Sequence, residues 1–176
     1  MIGAAAASAK IIGLDQEHIR YALGIAASHA SGLRANFGTM TKPLHVGHAA
    51  SAGVLAALLA EQGVTGNPTI FEDDFGYGDV FHNHPLFENV SFSVDSLYLG
   101  SYGMNVKMHP SCSMTHRPID GLFSIVSEHE LIPEQIDTIT CVISKRAASI
   151  LKYHQPKDGM EAKFSLEYCI ASAVLN

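Results

Sequence analysis

The stretch that decides the fold of this chain is residues 41–50, TKPLHVGHAA. It places a lysine, two histidines and a hydroxyl directly before a run of small apolar residues. That run predicts a helix over residues 46 to 62, which Gly63 ends. The first turn of such a helix has unpaired N–H groups and a partial positive charge. We therefore expect Lys42 and His45 to meet an anion bound at this helix start.

The segments before this stretch also predict helices. Residues 3 to 12 are alanine-rich and end at Gly13, and Asp15 is the predicted N-cap of a second helix over residues 16 to 29. The helix that follows Lys42 is apolar on nearly every face, and such a helix is normally covered by neighbours. Residues 1 to 62 do not supply enough partners, so we expect part of a larger all-helical domain.

Residues 63 to 96 contain many glycine and proline residues, which predict turns and loops in place of long helices. We expect a short extended segment at residues 69–71 and helical turns at 79–81 and 85–89. The sequence predicts a domain boundary here. Residues 1–92 are then a portion of the helical domain, and residues 93–176 are a second domain.

The second domain mixes helix and strand patterns. Residues 97–107 predict an extended segment, and residues 115–130 predict a helix with Pro118 in its first turn. The β-branched run at residues 136–144 is typical of a strand, and residues 164–175 predict a last helix. Together these predict a small α+β domain.

Composition narrows the classes of function. The net charge of −6 argues against nucleic acid or an anionic membrane as the main partner, and no apolar run reaches transmembrane length. Three cysteines without a C-x-x-C pair fit a reducing compartment, and with no signal peptide pattern we expect a cytoplasmic protein. Basic residues gather around residues 42–48 and 107–117, which suits a small carboxylate ligand.

Three motifs resemble one known family. They are residues 37–53 (FGTMTKPLHVGHAASAG), residues 107–120 (KMHPSCSMTHRPID) and residues 161–168 (EAKFSLEY). In this order they resemble the MmgE/PrpD family over nearly the whole chain. Family members are more than twice as long, so the resemblance implies an internal fragment. It also implies that the α+β second domain is of lid type and incomplete at its C-terminus. The catalytic histidines usually assigned as the base would lie before residue 1, so we expect that the fragment alone could hold half a site.

The resemblance implies a lyase that dehydrates or decarboxylates a small di- or tricarboxylate, such as 2-methylcitrate or cis-aconitate. The reaction would proceed by proton transfer next to a carboxylate. It also implies no metal or organic cofactor and a homodimer. Epimerisation of a dicarboxylate is an alternative that the same motifs allow. A rival from another class is a non-catalytic truncated interaction module, because apolar helix faces would be left without partners.

Six residues are the candidate site. The resemblance assigns Lys42, Lys107 and Tyr153 as catalytic, and the position of Tyr153 relative to Lys107 favours the decarboxylase branch. Two lysines suit a polycarboxylate, and a phenol can donate a proton. The alternatives are solvated lysines and a half-buried loop tyrosine.

Substrate-binding roles are predicted for His45, Cys112 and His116. A histidine at a helix start stays neutral and can donate to an anion. The alternatives are a loop-shaping His45, a Cys112 that only forms the pocket wall, and a capping or packing His116.

Two further sequence patterns are weak evidence for a metal or nucleotide site. His82 and His84, with the nearby pair Asp73 and Asp74, invite a metal interpretation, but they have no third ligand at a fixed offset. Residues 75–78 (FGYG) match neither G-x-G-x-x-G nor a Walker loop, which argues against nucleotide binding. We predict no metal site.

Overall fold

The computed structural model describes residues 1–82 and 98–175, and the regular secondary structure of these residues is helical. The first part contains α1 (Ile2–Ile11), α2 (Gln16–Ser28), the 3-10 turn Arg34–Asn36, α3 (Thr41–Glu61) and α4 (Tyr77–His82). The second contains α5 (Tyr98–Tyr102), α6 (Ser113–Glu128), the 3-10 turn Pro133–Gln135, α7 (Lys145–Ile150), α8 (Gly159–Ala162) and α9 (Leu166–Leu175). The helical character agrees with an all-helical domain.

The chain divides into two compact units. The first unit is Met1–Leu33 with Pro43–Ser101, and the second is Arg34–Lys42 with Tyr102–Asn176. The units do not correspond to a cut at one point of the chain, because Arg34–Lys42 folds with the later half. Lys42 therefore belongs to the second unit although it lies in α3.

Alanine forms the core of the first unit. Side chains from α1, α2 and α3 meet there and are completely buried: Ala9, Ala22, Ala57 and Ala60 in one cluster, and Ala5, Ala26 and Ala56 in another. Gly53 shows how close α1 and α3 lie, since a Cβ built on it would be 2.5 Å from the Ala4 Cβ and 2.6 Å from the Met1 carbonyl oxygen. Small residues are thus what allows these helices to pack.

The predicted helix ends in this unit are confirmed. The Asp15 carboxylate accepts a hydrogen bond from the His18 N–H at 2.9 Å, as an N-cap does. Gly13 and Gly63 have φ of 76° and 84°, left-handed conformations that glycine adopts without strain. Local sequence therefore determines where α1, α2 and α3 stop or start, with one exception.

The exception is the start of α3. The helix begins at Thr41, five residues before the predicted start, so Lys42 and His45 lie inside it rather than in a preceding loop. Pro43 does not prevent this, because the first turn of a helix needs no proline N–H. The N–H groups of Thr41 and Lys42 donate to the hydroxyl and the carbonyl oxygen of Thr39. These two N–H groups are therefore not available to an anion, and an anion contact of the Lys42 and His45 side chains stays a prediction.

Helix α3 is also longer than the sequence analysis predicted. With 21 residues it could cross a membrane by length and composition alone. Core helices of soluble proteins meet the same criterion, and the Ala56 side of α3 is buried against α1 and α2. The opposite side exposes Val54, Leu55 and Leu58 by 44–47%. This exposed side agrees with the expectation that the three helices need further partners.

The core of the second unit lies between α6 and α9. It consists of Ile119, Leu122 and Ile170, with Val126 and Cys141 packed against them. Helix α6 begins two residues earlier than predicted, so Pro118 is its sixth residue instead of lying in the first turn. Helix α9 begins at Leu166 and confirms the predicted last helix to within two residues.

The strand patterns of the sequence are not realised in the described residues. Residues 136–144 run without regular structure, and no backbone hydrogen bond from another described residue reaches residues 137–143. A strand needs a neighbour that pairs with its backbone, which β-branched side chains alone do not supply. Residues 69–71 form a turn, and residues 98–102 of the predicted extended segment are α5. The turn predicted at residues 85–89 lies outside the described residues.

Candidate functional site

Five of the six predicted site residues belong to the second unit. They are Lys42, Lys107, Cys112, His116 and Tyr153, and His45 belongs to the first unit. The five come from α3, from the loop before α6, from α6 and from the loop after α7. The contacts around each of them show how the second unit connects them.

Lys42 and Tyr153 meet at Phe37. The Tyr153 hydroxyl donates to the Phe37 carbonyl oxygen at 2.7 Å, and the Lys42 Nζ lies 5.8 Å from the centroid of the Phe37 ring. Gly38 makes this arrangement possible. It is buried, has a φ of 90°, and any Cβ on it would overlap the Tyr153 ring. The tyrosine and the lysine thus both lie next to Phe37, which is 116 positions from Tyr153 along the chain.

A series of contacts connects Phe37 to Cys112. The rings of Phe37 and Phe164 lie 5.8 Å apart, centroid to centroid. The residue before Phe164 is Lys163, whose carbonyl oxygen accepts a hydrogen bond from the Cys112 N–H at 2.9 Å. A continuous path of contacts therefore runs from Lys42 and Tyr153 to the start of α6.

Lys107 is connected to the same helix start. Its Nζ donates to the Ser111 carbonyl oxygen at 3.0 Å. The Ser111 hydroxyl lies 2.7 Å from the Thr115 hydroxyl, which donates to the Cys112 carbonyl oxygen at 2.8 Å. Thr115 is completely buried. The loop that carries Lys107 is therefore fastened to α6 through a buried threonine.

Cys112 precedes α6 as its N-cap residue, without a side-chain capping bond. A second cysteine, Cys169, lies near it on α9, and its thiol donates to the Ala162 carbonyl oxygen at 3.4 Å. Burial raises the pKa of the Cys169 thiol, and the nearby Cys112 raises it further. Hydrogen bonding with Thr115 and Ser111 acts in the opposite direction but does not cancel the effect. Cys169 is therefore a poor nucleophile, which suits a structural thiol.

His116 is the fourth residue of α6, so it lies in the first turn as expected. Its ring packs edge-on against the His109 ring at 5.0 Å. The His109 Nε2 lies 2.8 Å from an Asp120 carboxylate oxygen. The His116 Nε2 is buried and has no hydrogen-bond partner in the described part of the chain. A buried ring nitrogen without a partner costs free energy, which a hydrogen-bonding ligand would recover.

His45 lies in the first unit, on α3, and its ring packs against Gly32. A Cβ built on Gly32 would be 3.4 Å from the ring, and Gly32 has a φ of 114°. This contact agrees with the loop-shaping alternative for His45. Its substrate-binding role stays a prediction.

The described residues contain no group of three or more histidine, cysteine, aspartate or glutamate side chains that could hold a metal ion. Asp73 instead accepts hydrogen bonds from Asn67 and Thr69, and these lower the pKa of its carboxyl group. His84 lies outside the described residues.

Sequence reasoning missed the supporting residues of the site. The motifs include four residues to which the sequence analysis assigned no role: Phe37, His109, Ser111 and Thr115. The i, i+4 spacing of Ser111 and Thr115 is a signal that could have indicated a hydroxyl pair at a helix start. The meeting of Phe37 with Tyr153 leaves no such local signal, because it depends on the tertiary fold.

Comparison with known proteins assigns the family. Residues 1–89 match the model of the MmgE/PrpD N-terminal domain, and residues 109–176 match that of the C-terminal domain. The cis-aconitate decarboxylase of Homo sapiens is 33% identical and that of Mus musculus 31% identical, each over 99% of this chain and 37% of the relative. That of Aspergillus terreus is 28% identical over 67% of this chain and 26% of the relative. The chain thus spans about a third of the length of the curated relatives it matches, and by both domain models it belongs to the MmgE/PrpD family.

Proposed function

We propose that the chain is part of a lyase that acts on a small di- or tricarboxylate, and that decarboxylation of cis-aconitate is its reaction. The family membership and the names of the human and mouse relatives support the lyase class and the substrate. The observation that carries the proposal is the meeting of Lys42 and Tyr153 at Phe37, in the same unit as Lys107.

In this proposal the two lysines bind the carboxylates of the substrate. Among the described residues the salt bridges are made by histidines, and none involves Lys42 or Lys107. Both ammonium groups can therefore pair with a ligand without first leaving a carboxylate. An ammonium beside the reacting carbon also stabilises the enolate charge that develops as a proton or carbon dioxide leaves.

Tyr153 is the proposed proton carrier. Its O–H is directed at the Phe37 carbonyl oxygen, which keeps the phenol oriented, and its oxygen still has a lone pair for a second partner. His116, with its unpartnered ring nitrogen, and Cys112 at the start of α6 are the proposed contacts for the remainder of the ligand. A substrate-binding role for His45 is proposed from the motif resemblance alone.

The test is a chimera in which this chain replaces the matching region of the human cis-aconitate decarboxylase. We expect the chimera to release carbon dioxide from cis-aconitate and to leave 2-methylcitrate unchanged. Lys42→Ala or Lys107→Ala should each lower kcat/KM at least about a hundredfold, as loss of a charge-stabilising group does. The control Lys10→Ala, on an exposed helix end, should have no effect. Near-normal kcat/KM in both lysine variants would reject the proposal, and turnover of 2-methylcitrate would favour the dehydratase.

One observation favours the rival, a non-catalytic interaction module. Residues 139–144 and α6 border an apolar groove of about 750 Å³, beside which Val142 is 96% exposed. The predicted α+β lid domain would place a strand in this region. Size-exclusion chromatography with a thermal-shift scan of polycarboxylates separates the two. Self-association without any ligand response supports the rival, and a ligand-responsive protein supports the lyase.

The cytoplasmic location and the homodimer remain part of the proposal.

A further inference from the structure

A second, smaller pocket lies beside Phe37 in the second unit. It has a volume of about 230 Å³ and lies between the 3-10 turn Arg34–Asn36 and the end of α7. It is lined by Arg34, Ala35, Phe37, Ser149, Ile150 and Lys152. None of the six proposed site residues lines it, so its function is a separate question.

Neutral partners hold the two cations of this pocket in place. The Arg34 Nη2 donates to the Ser149 hydroxyl oxygen at 2.9 Å, and this hydroxyl donates to the Arg146 carbonyl oxygen at 2.9 Å. The Lys152 Nζ donates to the Ala35 carbonyl oxygen at 3.2 Å and lies 5.3 Å from the centroid of the Tyr153 ring. Arg34 and Ser149 are 115 positions apart in the sequence, so the pocket is a product of the tertiary fold.

The charge of the pocket is not compensated within the described residues. No salt bridge there involves Arg34 or Lys152, and no acidic side chain lines the pocket. Both cations thus lie in the pocket without a carboxylate partner, although the net charge of the chain is −6. A guanidinium has five N–H donors and an ammonium three, of which Ser149 and Ala35 engage only one each. The remaining donors can bind an anion that bridges both groups.

The size of the pocket restricts the ligand. Sites for drug-sized molecules measure about 300–1,000 Å³, so this pocket is too small for a nucleotide. We propose that Arg34 and Lys152 form a binding site for a small multivalent oxyanion, and that Ser149 positions the guanidinium. Phosphate and a short polycarboxylate share the required chemistry, which is several oxygen acceptors and at least two negative charges. The site goes beyond the proposed reaction, since it uses neither Lys42 nor Lys107.

The experiment is a calorimetric titration of the 176-residue chain with inorganic phosphate and, separately, with tricarballylate. We expect saturable binding of at least one probe, and the tighter one identifies the ligand class. Arg34→Gln and Lys152→Gln should each weaken it about tenfold, the usual effect of losing a charge-assisted hydrogen bond. Ser149→Ala should weaken it less. Lys152→Arg, which keeps the charge, should retain most of the affinity, and the control Lys10→Gln should retain all of it.

The variants that lose binding show whether the anion binds at this pocket or at the proposed active site. Binding that survives in Arg34→Gln and Lys152→Gln but is lost in Lys42→Gln or Lys107→Gln would overturn this site and leave the proposed function intact. Absence of saturable binding by either probe would also overturn it. Circular dichroism verifies that each variant is folded. If Arg34→Gln does not fold, the contrast between Lys152→Gln and Lys152→Arg decides.

Discussion

The two units of the chain are stabilised by different kinds of contact. In the first unit, α1, α2 and α3 pack through alanine and glycine, and the core contains no polar side chain among the residues described. In the second unit, loops are joined to helices by side-chain hydrogen bonds, and both fully buried polar residues that the structure describes, Thr115 and Ser165, are there. The stability of the first unit therefore depends on small side chains that let its helices pack closely. The stability of the second unit depends on particular polar atoms that form hydrogen bonds. The proposed catalytic residues all lie in the second unit.

Adding one methyl group to the first unit is the strongest way to test this contrast. In Gly53→Ala, the new Cβ would lie 2.5–2.7 Å from Ala4, the Met1 carbonyl oxygen and the Ala5 nitrogen. We expect the free energy of unfolding to fall by up to about 3 kcal/mol, the range for overpacked cores. Gly47→Ala in the same helix is the matched control, because nothing lies within 4 Å of its Cβ, and it should gain about 0.5–1 kcal/mol. Urea denaturation measures both. Equal effects at Gly47 and Gly53 would show that packing volume does not determine the stability of this unit.

The matching test in the second unit removes a polar atom without changing the shape. Thr115→Val deletes the hydroxyl that joins Ser111 to the Cys112 carbonyl oxygen. We expect a loss of about 1–2 kcal/mol, because buried groups are left without partners. Thr115→Ser should restore most of it, since the hydroxyl returns. If valine is tolerated as well as serine, burial of volume and not hydrogen bonding stabilises this loop.

A smaller effect concerns pH. Burial raises the pKa of Cys169 above its ordinary value of 9.0, so the folded chain favours the neutral thiol. This contribution to stability is complete below pH 9 and is lost as the pH rises further, because the unfolded chain then releases the proton more readily. Melting temperatures measured between pH 8 and pH 10.5 should fall more steeply for the native chain than for Cys169→Ala. Cys141→Ala is the control and should follow the native chain. Identical slopes for all three proteins would contradict the assignment to Cys169.

The sequence predicted the first unit better than the second for a physical reason. Helix starts and stops depend on neighbouring residues, and Asp15, Gly13 and Gly63 are local signals of this kind. The predicted start of α3 was wrong for two reasons. Thr39, two residues before the helix, accepts a hydrogen bond from its first N–H group, and a proline at the third position of the helix does not prevent helix formation. The predicted strand at residues 136–144 depends on a partner that can lie anywhere in the sequence. Its β-branched pattern therefore could not show whether a ladder forms.

The candidate site was predictable only as a set of residues. Motif resemblance selected Lys42, Lys107 and Tyr153, and they lie in one unit. No pattern indicated that Phe37 would hold Tyr153 or that Arg34 would meet Ser149, because these pairs lie more than a hundred positions apart. Contacts of this kind follow from the fold and not from local spacing.

The central claim is that Lys42 and Lys107 hold one polycarboxylate. The most direct measurement is the affinity of the chain for cis-aconitate, determined by calorimetry for the native chain, Lys42→Gln, Lys107→Gln and the double variant. We predict that each single change weakens binding about tenfold, and that the double variant loses less than the sum of the two because both contact the same ligand. Unchanged affinity in both single variants, or no binding by the folded native chain, would contradict the account.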